Sequence, residues 1–163
     1  MIVFAPLRDP VEAINSHLRR AGHAVHCTWI PALGDLGDAL TQLNPEMLIC
    51  QPQADGELSA VAAVRNQLAP QVPLIALLEA ADETAIAGAI AVGARDAVTL
   101  ARPDRLRAVI ERELRSFRLE RALSTTLQSA RDYRKQLETV LQRSNDAIAQ
   151  VQEGIVVGAN ASW

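Results

Sequence analysis

From Met1 to about Leu100 the chain repeats one pattern: a short apolar run, a polar break, then a stretch whose apolar residues recur at helical spacing. Strands that alternate with helices in this way form βαβ units and a parallel sheet. Ile2 to Ala5 is the first expected strand. A helix follows from Val11 to Arg20, with Val11, Ile14 and Leu18 on one face, and it ends at Gly22. Ala24 to Ile30 is the second strand. Its residues Val25, Cys27 and Trp29 alternate with His26 and Thr28, as on an edge strand with one face more exposed. Leu36 to Leu43 is a short helix with Asp35 as its expected N-cap. Met47 to Cys50 is continuously apolar, which suits a central strand buried on both faces. Leu58 to Leu68 is the third helix, and Leu74 to Leu78, opened by Pro73, is the fourth strand. Asp82 caps a helix that runs to Val92 and stops at Gly93, and Ala97 to Leu100 is the fifth strand.

Five strands and their helices in about 100 residues predict an α/β, flavodoxin-like, doubly wound five-stranded parallel sheet of order 2-1-3-4-5. After Pro103 the texture changes. No Gly or Pro occurs again until Gly154, which permits one helix of about 45–48 residues, about 70 Å long. Leu106, Val109, Ile110 and Leu114 are spaced to pack its first part on the sheet. Beyond Phe117 the apolar spacing continues with no core left to lie on. Leu123, Leu127, Ala130, Leu137, Leu141 and Ile148 fit a three-and-four repeat, interrupted by Arg134 and Ser144. Such a stripe needs a partner, and the expectation is a homodimer built on a parallel pair of these helices, with Leu123, Leu127, Ala130, Leu137 and Leu141 at the seam. Residues 145–160 read as two short strands around a Glu153-Gly154 turn, a short β tail to the extended C-terminal helix. One hairpin has no stable core of its own, so a longer parent protein is expected.

Charge is divided unevenly. Residues 1–101 hold five Arg and eleven acids, and residues 102–163 hold eleven basic residues and eight acids. The basic half alternates Arg with Glu and Asp, and Phe117 and Tyr133 are its only aromatics before Trp163, so a solvated helix face is expected and a nucleic-acid partner is not. Fifteen Arg against one Lys is the balance of a GC-rich bacterial genome. Cys27 and Cys50 lie in apolar runs on strands separated by the first strand, so free thiols in a reducing cytoplasm are expected. His17, His23 and His26 lack metal-ligand spacing, and no cofactor or metal is expected. No signal peptide opens the sequence, and no apolar run approaches the roughly 18 residues of a membrane helix. The expected location is cytoplasmic, without membrane insertion.

Three segments carry a resemblance: Pro45-Glu46-Met47-Leu48-Ile49-Cys50-Gln51, Val72-Pro73-Leu74-Ile75-Ala76-Leu77, and Ala91-Val92-Gly93-Ala94-Arg95-Asp96-Ala97-Val98-Thr99. With them, residues 1–118 resemble the receiver domains of two-component response regulators. Those domains hold Mg²⁺ through an acidic pair after the first strand and phosphorylate an Asp that ends the third. Here the first turn is Ala5-Pro6-Leu7-Arg8, so Pro6 stands where an acid is implied, with only Asp9 near. Gln51 occupies the acceptor position. The implied hydroxyl residue matches Leu78, the aromatic switch residue matches Ala97, and the Lys matches Leu100. A carboxamide is not nucleophilic enough to accept a phosphoryl group, and without the metal acids and the Lys nothing stabilises the transfer. The resemblance therefore implies a degenerate receiver, not an enzyme, with a collapsed and metal-free site. No Gly-rich phosphate loop follows the first strand.

The tail resembles the opening of a PAS domain. A degenerate receiver, a long helix and a PAS start is the order of FimX-like proteins, which continue into GGDEF and EAL domains concerned with cyclic di-GMP. The expected divisions are a receiver-like domain at 1–118, a signalling and dimerisation helix at 119–146, and the start of a PAS domain at 147–163. The resemblance implies a role in dimerisation, localisation at the cell pole and type IV pilus-dependent motility, with a protein partner docked on the face of the fourth helix and fifth strand. Two other functions stay open at this point: a phosphoreceiver with an unusual acceptor such as Asp9 or Asp55, and a small-ligand sensor in the vacated pocket.

Overall fold

The computed structural model of the chain describes residues 1–80, 82–143 and 148–159. It divides into two units, Met1–Arg118 and Leu119–Trp163. The first unit holds β1 (Ile2–Phe4), α1 (Asp9–Arg20), β2 (Thr28–Ile30), α2 (Leu33–Leu43), β3 (Leu48–Cys50), α3 (Glu57–Leu68), β4 (Leu74–Leu77), α4 (Glu83–Ala91) and β5 (Asp96–Val98). All strand pairs are parallel and the order is β2-β1-β3-β4-β5, as the sequence predicts. Successive residues of a strand face opposite sides, and this sorts the core into two layers. Ile2, Phe4, Leu48, Cys50, Leu74, Ala76 and Ala97 pack with residues of α2, α3 and α4. Val3, Ala5, Ile49, Ile75, Leu77 and Val98 pack with Val11, Ile14 and Leu18 of α1 and with Leu106, Val109, Ile110 and Leu114. Cys50 belongs to the first layer and Cys27 packs against the second, so the sheet itself separates the two thiols.

The last four of those second-layer residues open α5 (Pro103–Arg143), an unbroken helix of 41 residues and about 62 Å. The second unit ends in an antiparallel hairpin, β6 (Ala149–Gln152) and β7 (Ile155–Ala159). Its turn is Glu153-Gly154, both at positive φ (51° and 82°), the conformation that favours glycine in two-residue hairpin turns.

Some expected boundaries move. β2 is shorter than the alternation implies, because the Val25 N–H donates to the His23 carbonyl at 3.1 Å and withdraws that stretch from the ladder with β1. The alternation of exposure survives through it: Val25, Cys27 and Trp29 are half-buried while Ala24 and His26 are exposed. Asp35 is not an N-cap. Helix α2 starts three residues earlier than expected, from an extended Ala32, and Asp35 sits in its first turn, where a carboxylate still complements the helix dipole. Asp82 does cap α4, accepting from the Ala85 N–H at 2.7 Å. Ile148 lies outside α5, and residues 144–147, over which the longer helix was expected, lie outside the described residues.

Candidate functional site

In a parallel sheet of this order the strand sequence reverses between β1 and β3, and the crevice beyond the strands' carboxyl ends is where such folds place their chemistry. Four loops converge there. After β1, Ala5 is fully buried. Its N–H donates to the Ile30 carbonyl at 3.2 Å, and its own carbonyl accepts the Trp29 indole N–H at 2.9 Å. An indole reaching over from the edge strand thus occupies the polar group at the end of β1. Pro6, Leu7, Arg8 and Asp9 are exposed, and Leu7 keeps 64% of its surface in solvent. Arg8 pairs along α1 with Glu12 at 3.4 Å, an exposed contact worth little.

Gln51 follows β3. Its N–H donates to the Phe4 carbonyl at 2.8 Å, fixing the backbone beside β1. Its side-chain Oε1 is buried and has no hydrogen-bond partner among the described residues. Leaving a buried acceptor unsatisfied costs about 1–3 kcal/mol. Beside it, burial pushes the Cys50 thiol up from 9.0 to about 12, with a smaller contribution from Glu57. That sulfur stays protonated at neutral pH and cannot replace a missing nucleophile. After β4, Leu78 donates its N–H to the Val98 carbonyl at 2.8 Å and packs half-buried on the α2–α3–α4 layer. After β5, the Thr99 hydroxyl donates to the Glu79 carbonyl at 3.2 Å and accepts from the Ala101 N–H at 3.3 Å, so it is spent on holding two loops together. Ala97 is fully buried within β5, and Leu100 is half-buried against the α1–α5 layer.

The structure therefore brings Pro6, Gln51 and Leu78 to one edge of the sheet, with Leu100 just past β5 and Ala97 beneath in the core. These residues do not fit Mg²⁺, which takes hard and usually anionic oxygens. Gln51 presents a neutral amide oxygen, and the nearest acid in the β1 turn, Asp9, is exposed in the first turn of α1. Among the described residues no group of three or more His, Cys, Asp or Glu is arranged to hold a metal ion. Asp55, the other alternative acceptor, is exposed in the loop before α3.

The proposed seam residues Leu123, Leu127, Ala130, Leu137 and Leu141 all lie on α5. The four leucines keep between 42% and 61% of their surface in solvent, and Ala130 is exposed.

An ionic cluster on the first unit was not anticipated, since the Arg residues of α5 read as a solvated face. Asp96, 9% exposed at the start of β5, accepts from Arg105 and Arg112 at 2.9 Å each and from the Ala97 N–H at 2.8 Å. Arg112 also bonds buried Glu113 at 2.9 Å, and its guanidinium is held above its usual range by the bonds to Asp96 first and Glu113 second. Arg118 reaches Glu46 at 3.0 Å, and His23 meets Glu111 at 2.7 Å. The available signal was spacing: Arg105 and Arg112 stand seven residues apart, on one face of a helix. Together these contacts fasten the first third of α5 to the sheet. Arg65 does similar work for α3, donating to the Gly93 carbonyl at 2.7 Å and the Pro70 carbonyl at 3.2 Å.

No family model matches the sequence, and no curated protein does. Solved structures do. The signal receiver domain of a protein described as a Luxo repressor from Vibrio parahaemolyticus superposes with a TM-score of 0.62 at 16% identity, over 75% of this chain and 94% of that one. NtrX from Brucella abortus, solved with ADP, gives 0.66 at 20% identity over 90% of this chain, which spans 36% of NtrX. The NtrC4 receiver domain, solved from Aquifex aeolicus and also as a beryllofluoride-activated dimer, gives 0.58 in the latter form at 14% identity, over 71% of this chain and 96% of that one. At these identities the likeness is one of fold, and the fold of the first unit is that of response-regulator receiver domains.

Proposed function

We propose that this chain is a non-catalytic, receiver-like regulatory module that pairs with a second copy through the distal half of α5. It positions and couples downstream signalling domains. The observation that carries the reading is Gln51: a neutral, stranded amide at the carboxyl end of β3, in a sheet edge whose other ends present Pro6, Leu78 and Leu100. None of these four side chains attacks a phosphoryl donor, and none of the four balances the charge of one. The receiver fold supports a signalling role, and the solved NtrC4 dimer is a precedent for self-association of that fold. The resemblance of the tail to FimX-like proteins extends the proposal to PAS, GGDEF and EAL domains of cyclic di-GMP signalling, at the cell pole and in pilus-dependent motility, with a protein partner docked on the first unit.

The test is intact-mass spectrometry after incubation with acetyl phosphate and Mg²⁺. The expected result is an unmodified mass for the wild type and for Gln51→Asp alike, because an acceptor alone lacks the metal acids. A stable phosphoryl adduct on the wild type would overturn the reading and make Asp9 or Asp55 the residue to map.

A further inference from the structure

We infer that the second copy lies antiparallel on α5, with Leu127 facing the partner's Leu137, Leu123 facing the partner's Leu141, and Ala130 facing the partner's Arg134. The inference rests on the proposed seam and adds its orientation and register. The three-and-four spacing sorts the seam into two sets: Leu123, Ala130 and Leu137 at one heptad position, and Glu120, Leu127, Arg134 and Leu141 at the other. In a parallel pair in register, each residue meets its own copy. Glu120 then opposes Glu120 of the partner subunit, Arg134 opposes Arg134 of the partner subunit, and two Ala130 side chains face each other across a gap. Two like-charge layers and one hollow layer interrupt a seam that has only four leucines to hold it. The parallel pair suggested by the bare repeat is therefore the poorer arrangement.

Reversing one helix makes each position of one set face the other set. With the twofold axis level with Asp132, itself on the opposite face of the helix, all four leucines meet leucines and each Arg134 meets an alanine. A slide of one heptad one way sets Leu127 against Ala130, the other way carries Leu127 past the last residue of α5, and both set Arg134 against a leucine, so the register is singled out by the sequence of large, small and charged residues. Three features of α5 agree. The helix is unbroken through the whole stripe. Arg134 Nε bonds Glu138 Oε1 at 3.0 Å, which draws the guanidinium along the flank and leaves the aliphatic stem at the seam, where an alanine has room for it. Beside the seam, Thr126 returns its hydroxyl to the Ala122 carbonyl at 2.9 Å, within the helix.

Cysteine cross-linking of the full chain, in a Cys27→Ala background, tests the arrangement. In the antiparallel register two copies of residue 127 stand ten residues apart along the axis, about 15 Å, beyond disulfide reach. Leu127→Cys alone and Leu137→Cys alone are therefore expected to stay uncross-linked under mild oxidation, whereas the double variant, oxidised at a protein concentration high enough to offset its weakened seam, gives a covalent dimer. Cross-linking by each single variant overturns the antiparallel register while leaving the helix dimer standing. No covalent dimer in any variant, together with a monomeric Arg143→Cys chain in light scattering, overturns seam and register together. A spin label at Arg143→Cys, which leaves every seam residue intact, gives a second readout: about 33 Å between labels in the antiparallel pair, against about 10–15 Å in the parallel one.

Discussion

Gln51 is anchored through its backbone and stranded through its side chain. The Phe4 carbonyl takes its N–H at 2.8 Å, but among the described residues nothing donates to the buried Oε1. An apolar side chain of similar length removes the unsatisfied acceptor and keeps the contacts, so Gln51→Met should stabilise the first unit by about 1 kcal/mol. Urea unfolding would show this as a higher midpoint at unchanged slope. A lower midpoint would mean that the amide has a partner worth more than its desolvation. The strand ends that carry Gln51, Leu78 and Leu100 were legible because apolar runs and their punctuation locate them. Trp29 reaching the Ala5 carbonyl was not legible, nor was Thr99 spending its hydroxyl on Glu79. Both depend on how far one loop leans toward another, which no period in the sequence encodes.

At the scale of elements, α5 does two jobs along one continuous helix. Its first part is held by Leu106, Val109, Ile110, Leu114 and the Asp96 cluster, and its distal part presents leucines to solvent. Truncating Leu127 and Leu137 together should then act on assembly alone. Each Leu→Ala costs about 2–5 kcal/mol per fully buried side chain, less at a partly wet seam. Since each ~1.4 kcal/mol is tenfold in affinity, the double variant should move a micromolar dimer to monomer. Light scattering with circular dichroism checks this: a lost dimer with an unchanged spectrum is expected, and an intact dimer would place the interface elsewhere. Element types were readable throughout the first unit because the apolar spacing of 2 or 3.6 was clean. Their ends were less so. β2 is shortened by one local hydrogen bond at His23, and the start of α2 is set by backbone at Ala32 with no capping side chain to announce it. Asp96 read as part of a loop because a charge at the head of a buried strand looks like a break until its two arginines, from another element, are placed.

Taken whole, the first unit closes its core at Phe117, the last buried residue of α5, one position before Arg118 ends the unit. A chain of residues 1–118 should consequently fold alone and unfold in one cooperative step, whereas one ending at Leu100 should not fold. The shorter chain loses Leu106, Val109, Ile110 and Leu114, which cover the α1 side of the sheet, and a few kcal/mol for each exceeds the typical 5–15 kcal/mol stability of a domain. Heteronuclear NMR spectra of the two fragments separate these outcomes. The bond from the Trp29 indole to the Ala5 carbonyl gives this unit an internal optical gauge. Only two tryptophans occur in the sequence, and Trp163 belongs to the other unit. Once that second indole is replaced, the emission colour of Trp29 follows water entering between the edge strand and the mouth of the crevice. One fluorophore, already present, thus distinguishes loosening of the sheet's rim from loss of its helices.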